Sequence, residues 1–171
     1  NRAYLWYIGF HSLTIFYFGG LNGFGYLLFP LKLQIWLSQN IMVLNFLVIF
    51  MVVNFASTFL ELKHQLPKYY KFVKPFSVLS LAGAAASLWI PEYTMIPAFS
   101  ILQLLGSIFG IGVAVIAFKK GYSPAKYFLL SWVFTISGGA IGMTTVLGVT
   151  PANFFTLHGF LFGTLAELFL F

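Results

Sequence analysis

The sequence has no cysteine and no aspartate, and its three acidic residues are all glutamate. Without cysteine there is no disulfide framework, no thiolate nucleophile and no Cys-ligated metal or iron–sulfur centre. Charged residues are scarce, at 7%, where a soluble domain carries about 25%. Hydrophobic residues fill the space they leave, at 60% of 171, against about 45–50% in an ordinary globule, and this excludes a water-soluble domain. Catalytic material is missing as well. There are no paired carboxylates, no convincing Ser/His/acid set, no phosphate-cradling loop, no metalloprotease helix motif and no mid-membrane Lys for a Schiff base.

What is present is a succession of apolar stretches. A membrane helix needs roughly 20 apolar residues at ~1.5 Å rise each. Cutting at turn formers and charges leaves six stretches that meet or approach this length, at residues 3–20, 39–62, 75–90, 93–118, 124–147 and 151–171. The third is short, but Lys71 and Lys74 can snorkel and residues 69–73 can extend it through the interface. Ser123-Pro124 and Thr150-Pro151 each read as a capping hydroxyl followed by Pro at the first helical position. Lys119-Lys120-Gly121 reads as a stop, with cations at the negative helix end and a glycine fit for a left-handed cap. Pro97 reads as a marker of the fourth stretch's start. The fold expected is therefore all-α, a polytopic membrane bundle with six spans in one transmembrane domain, residues 1–171.

Charge placement gives a direction. With six alternating spans, Arg2, Lys63, Lys68, Lys71, Lys74, Lys119, Lys120 and Lys126 fall on one side and only Lys32 on the other. Positive loops stay in the cytoplasm, so both ends of the chain are expected there. The net charge of +6 is thus a property of membrane loops, and nucleic acid is not an expected partner.

Polar residues inside the spans are few enough to consider singly. Gly106/Gly110, Gly138/Gly142 and Gly159/Gly163 are pairs four apart, the spacing that lets helix backbones approach in lipid. Glu167 continues the stripe Gly159, Gly163, Glu167 and faces the packed interior. A carboxylate there reads either as a functional group or as a neutral, hydrogen-bonded group fixing helix register. His11 and His158 reach comparable depths in the first and last stretches. Without a cluster of further ligands they make a poor metal or haem site, so interhelical hydrogen bonds are the reading adopted, and no metal or cofactor is expected. Asn54, Ser57, Thr58 and Glu61 form a polar stripe read as glue between helices, while His64 is read as solvated. Lys68, Lys71 and Lys74 recur among aromatics, a pattern suited to a short amphipathic turn on anionic headgroups.

Several segments then carry a resemblance. They are Arg2-Ala3-Tyr4-Leu5-Trp6-Tyr7, the Leu21-Asn22-Gly23-Phe24-Gly25 turn, and Phe59-Leu60-Glu61-Leu62-Lys63 followed by Leu66-Pro67. Lys120-Gly121-Tyr122-Ser123-Pro124-Ala125-Lys126-Tyr127-Phe128-Leu129-Leu130 with Trp132, and Pro151-Ala152-Asn153-Phe154, complete the set. In this order and spacing the chain resembles bacterial seven-transmembrane receptors with diverse intracellular signalling modules, and Glu167 falls at that family's last-helix acid. The resemblance implies a first span before Asn1, an extracytoplasmic sensor domain often preceding it, and an output module after Phe171. It implies a non-enzymatic receptor core in the bacterial inner membrane. Its partners would be the lipid bilayer, its own flanking domains, an unidentified small ligand and a second copy of the chain. The alternative reading is a small secondary transporter or channel, which needs a polar path through the midplane that these sparse residues do not supply.

Overall fold

The computed structural model describes residues 2–22, 25–146 and 148–169, which are all-helical, with no strand among them. The chain forms two compact units, Asn1–Gly110 and Ile111–Phe171. The first contains α1 (Arg2–Asn22), α2 (Gly25–Leu28), α3 (Leu31–Gln39), α4 (Ile41–Phe59), α5 (Leu62–Gln65), α6 (Pro67–Tyr70) and α7 (Val73–Ala86). α8 (Glu92–Lys119) supplies residues to both units, and α9 (Ala125–Val146), α10 (Phe154–Leu157) and α11 (Gly159–Leu168) complete the second.

The six expected stretches appear as α1, α4, α7, α8, α9 and the α10–α11 pair, with altered boundaries. Two of them, α4 and α8, are long and apolar enough to cross a membrane, with hydropathies of 2.2 and 2.3. α7 has 14 residues, about 21 Å at 1.5 Å per residue, and falls short of a hydrocarbon core of about 30 Å. The last stretch is broken at His158, leaving α11 with 10 residues.

In the first unit α4 is the middle element, flanked by α1 and α7. Ile41, Val43, Leu44, Phe46, Ile49, Val53 and Phe55 are consequently buried, while Met42, Leu47, Val48 and Phe50 are half-buried. Trp6 meets Phe50 edge-on at 5.6 Å and Tyr7 meets Phe55 at 5.1 Å, which ties α1 to α4. On the other side a Cβ at Gly83 would lie 2.5 Å from the ring of Phe46, so only glycine leaves room for that ring between α4 and α7. The segment expected as an outer loop instead holds α2 and α3. α3 is pinned by the fully buried Gln34, whose Nε2 donates to the carbonyl of Gly19 at 3.0 Å. In this unit α8 docks through large rings, with Phe46 at 5.8 Å from Phe99 and Phe76 at 5.6 Å from Phe109.

Helix ends follow local chemistry. After α8, Gly121 takes φ 89, its N–H donating to Phe118 and that of Tyr122 to Ala117. This is the paired closure that a left-handed glycine allows. Two start signals need correcting. α8 begins at Glu92, a turn before Pro97, which lies inside the helix. The final cap is Asn153, not Thr150: its side chain accepts from Phe155 and Thr156 in a capping box, while Thr150 hydrogen-bonds with Thr145 at 2.7 Å. Asparagine is the better cap, and it displaced the hydroxyl three residues earlier. Within the Leu21–Gly25 turn, Gly23 and Phe24 lie outside the described residues.

Candidate functional site

Two arrangements gather the chemistry, one in each unit. In the first, the polar stripe of α4 does not close entirely against a neighbour. Asn54, Ser57, Thr58 and Glu61 line a cavity of about 760 Å³ with Arg2, Leu5, Trp6, Met51, Lys63, His64, Tyr70 and Val73. Only part of the stripe acts as glue. Asn54 donates to Ser77 of α7 at 3.1 Å and to the Phe50 carbonyl at 2.8 Å, whereas Thr58 bonds back to Asn54 O within α4. A hydroxyl satisfied by its own helix needs no partner across the bundle, which is why a polar stripe need not be a seam. Glu61 stands at the cavity's edge with φ 47, the single described residue other than glycine with a positive φ.

Beside the cavity run α6 and the turn into α7. Lys68, Lys71 and Lys74 are exposed there, with Tyr69, Tyr70 and Phe72, while Leu66 and Val73 are buried. Lys71 Nζ lies 5.3 Å from the Phe72 ring centre. The segment thus presents cations and aromatics outward and two aliphatics inward, the composition of a helix lying on headgroups.

In the second unit α11 meets α9 along its small residues. A Cβ at Gly159 would lie 2.6 Å from the carbonyl oxygen of Gly138, one at Gly138 would strike the carbonyl of Gly159, and one at Gly163 would lie 2.5 Å from Phe134 O. The two backbones touch, and no side chain fits between them. Glu167, two turns beyond Gly159, is 4% exposed and its Oε2 accepts a hydrogen bond from Thr135 Oγ1 at 2.7 Å. Among the described residues it forms no ion pair, and Lys126, which lies at a suitable depth in the sequence, has its Nζ 4.8 Å from the Tyr127 ring centre. Thr135 was legible in principle, since it precedes Gly138 by three residues and so shares its helix face.

The remaining candidates are placed as follows. Gly106 differs from the glycines of the second unit: its Cβ would meet only the Phe76 ring edge at 3.9 Å, because phenylalanines set the spacing there. Gly110 is buried; Gly142 lies in α9, with its surroundings outside what is described. His11 is flanked by Tyr7 and Phe10, with ring centres at 4.3 and 4.6 Å, and its buried Nε2 has no partner among the described residues. His158 sits at the break between α10 and α11, its Nδ1 2.8 Å from Phe154 O. No group of three or more metal-ligating side chains occurs among the described residues.

Searches of curated proteins and of solved structures find no match to the chain. The family model described as 7TM diverse intracellular signalling matches residues 1–171. With an all-helical fold containing two membrane-capable helices and a match along its whole length, the chain belongs to this seven-transmembrane signalling family.

Proposed function

We propose that residues 1–171 form the relay core of a bacterial inner-membrane receptor, contributing six spans to a seven-span unit with both ends in the cytoplasm. A stimulus outside the membrane or between the helices changes their packing, and α11 passes the change to an output module that follows it. α7 completes its crossing with α6 and the snorkelling lysines beside it, and α10 lengthens that of α11.

One observation carries this reading. The buried face of α11 is Gly159, Gly163, Thr164 and Glu167, and its polar tie to α9 is the Glu167–Thr135 hydrogen bond. A glycine face offers few interlocking side chains to hold a register, and a single hydrogen bond, worth about 0.6–2 kcal/mol in a bilayer, is within reach of a ligand's differential binding. Relay requires two arrangements that a stimulus favours unequally, and a seam without interlocking side chains can take up a second register.

The test uses the intact protein in native membranes. Cysteines are introduced in pairs flanking the seam on α9 and α11, and disulfide formation is compared between backgrounds selected for constitutively high and constitutively low output. The preferred pairs should change between the two. An identical crosslinking pattern in both would eliminate α11 as the moving element.

A further inference from the structure

The cavity of the first unit has an internal gradient. Its lining is apolar at Leu5, Trp6, Met51 and Val73 and neutral polar at Asn54, Ser57 and Thr58, while the exposed Arg2, Lys63, His64, Tyr70 and Glu61 form its rim. Along α4 the lining runs over seven positions, from Met51 to Thr58, about 10 Å at 1.5 Å per residue. A space of about 760 Å³ with lining spread along this length of helix is larger than a small polar headgroup alone would fill.

The rim is charged unequally. Arg2 and Lys63 bring two permanent cations against the carboxylate of Glu61, with His64 and Tyr70 as further donors. Among the described residues no ion pair neutralises Arg2 or Lys63, although Glu61 lines the same cavity. An exposed rim with this excess of cations favours a group with one negative charge and several acceptor oxygens. Glu61 adds a second requirement, since an ionised carboxylate accepts only and calls for a hydroxyl donor on the ligand. It is held at the rim in a left-handed conformation, φ 47, which is unfavourable for a residue with a Cβ. Strain of this kind gathers at ligand sites because the backbone is held there by its surroundings.

We infer that this cavity binds a phosphate-bearing anionic amphiphile with a hydroxylated head. The phosphodiester sits on Arg2, Lys63 and His64, the head hydroxyls turn to Glu61, the linking esters meet Ser57 and Thr58, and an acyl chain runs along Leu5, Trp6 and Met51. Binding is independent of any movement of α11, so loss of either reading leaves the other standing.

Trp6 provides the readout, because it lines the cavity while the other tryptophans are Trp36, Trp89 and Trp132. In the full-length protein with those three changed to Phe, Trp6 fluorescence is followed in phosphatidylcholine vesicles. These contain a trace of acyl-brominated phosphatidylglycerol or, at the same mole fraction, acyl-brominated phosphatidylcholine. The brominated anionic lipid should quench several-fold more. Arg2→Gln and Lys63→Gln should each weaken that preference about fivefold, the effect of ~1 kcal/mol per cation near a membrane surface, while Lys120→Gln leaves it unchanged. Native mass spectrometry of the protein with all its tryptophans should give the same order of lipid retention. Equal quenching by the two lipids, or an equal loss in Lys120→Gln, would overturn the site. Relief of quenching by inorganic phosphate, but not by chloride at the same ionic strength, would overturn the amphiphile and leave a soluble anion in its place.

Discussion

Glu167 is the residue at which structure and chemistry press hardest on each other. A carboxyl group 4% exposed and accepting from Thr135 at 2.7 Å is expensive to ionise in an apolar bundle and satisfactory as a neutral acid. Gln keeps the shape and both donor and acceptor capacity, so Glu167→Gln should leave the helices assembled, whereas Thr135→Val removes the donor itself. The expected outcome is a loss of about 0.6–2 kcal/mol of stability in Thr135→Val and a near-wild-type melt in Glu167→Gln. Gln also removes the ability to ionise, so a relay in which this carboxyl is neutral in one signalling state and charged in the other should lock its output high or low in Glu167→Gln. Thermal unfolding in detergent together with an output assay separates the two. A wild-type dose response in Glu167→Gln would assign the carboxyl to register alone.

At the scale of helices, small residues matter according to what stands opposite. Gly138 and Gly163 face backbone carbonyls of the partner helix, Gly9 faces the flexible Met51 Sδ at 3.1 Å, and Gly106 faces a ring edge at 3.9 Å. A carbonyl cannot rotate out of the way without breaking its own helix, while a thioether can. Gly138→Ala and Gly163→Ala should therefore cost about 1–3 kcal/mol, as overpacking does, and lower the folded yield. Gly9→Ala should be milder and Gly106→Ala nearly silent, as judged by monodisperse recovery after solubilisation. Equal recovery of all four would remove the seam. The spacing of four was readable for all three glycine pairs, but not which pair meets a backbone. That depends on the facing residue, and beside Gly106 it is Phe76, which follows from tertiary placement and not from the pattern in α8. The α8 terminus was legible because Lys119-Lys120-Gly121 dictates its own closure locally. The break at His158 was not, because the capping box of Asn153 and Thr156 builds a separate turn before α11 begins.

At the scale of the whole chain, helical class and family were written in composition and in the order of short motifs. The cavity was not, because its rim joins Arg2 to Lys63 and His64, some sixty residues away. Each cation alone reads as a solvated loop charge, and only the packing of α1 on α4 brings them to one place. The same cations decide how the chain lies in the membrane. Of nine Lys and Arg residues, eight fall in segments assigned to one side and Lys32 alone to the other, and positive loops resist translocation. Reporters inserted after Lys120 should therefore be active in the cytoplasm, and those at Glu92 or Lys32 on the far side. α8 makes this a demanding test, because its two ends carry the two reporter sites, Glu92 and Lys119-Lys120, with 28 residues between bounds. At 1.5 Å per residue that is about 42 Å, more than the hydrocarbon core of about 30 Å, so a crossing α8 must separate the two reporters. Activity of both reporters on the same side would mean that α8 does not cross, and the six-span reading would fall with it.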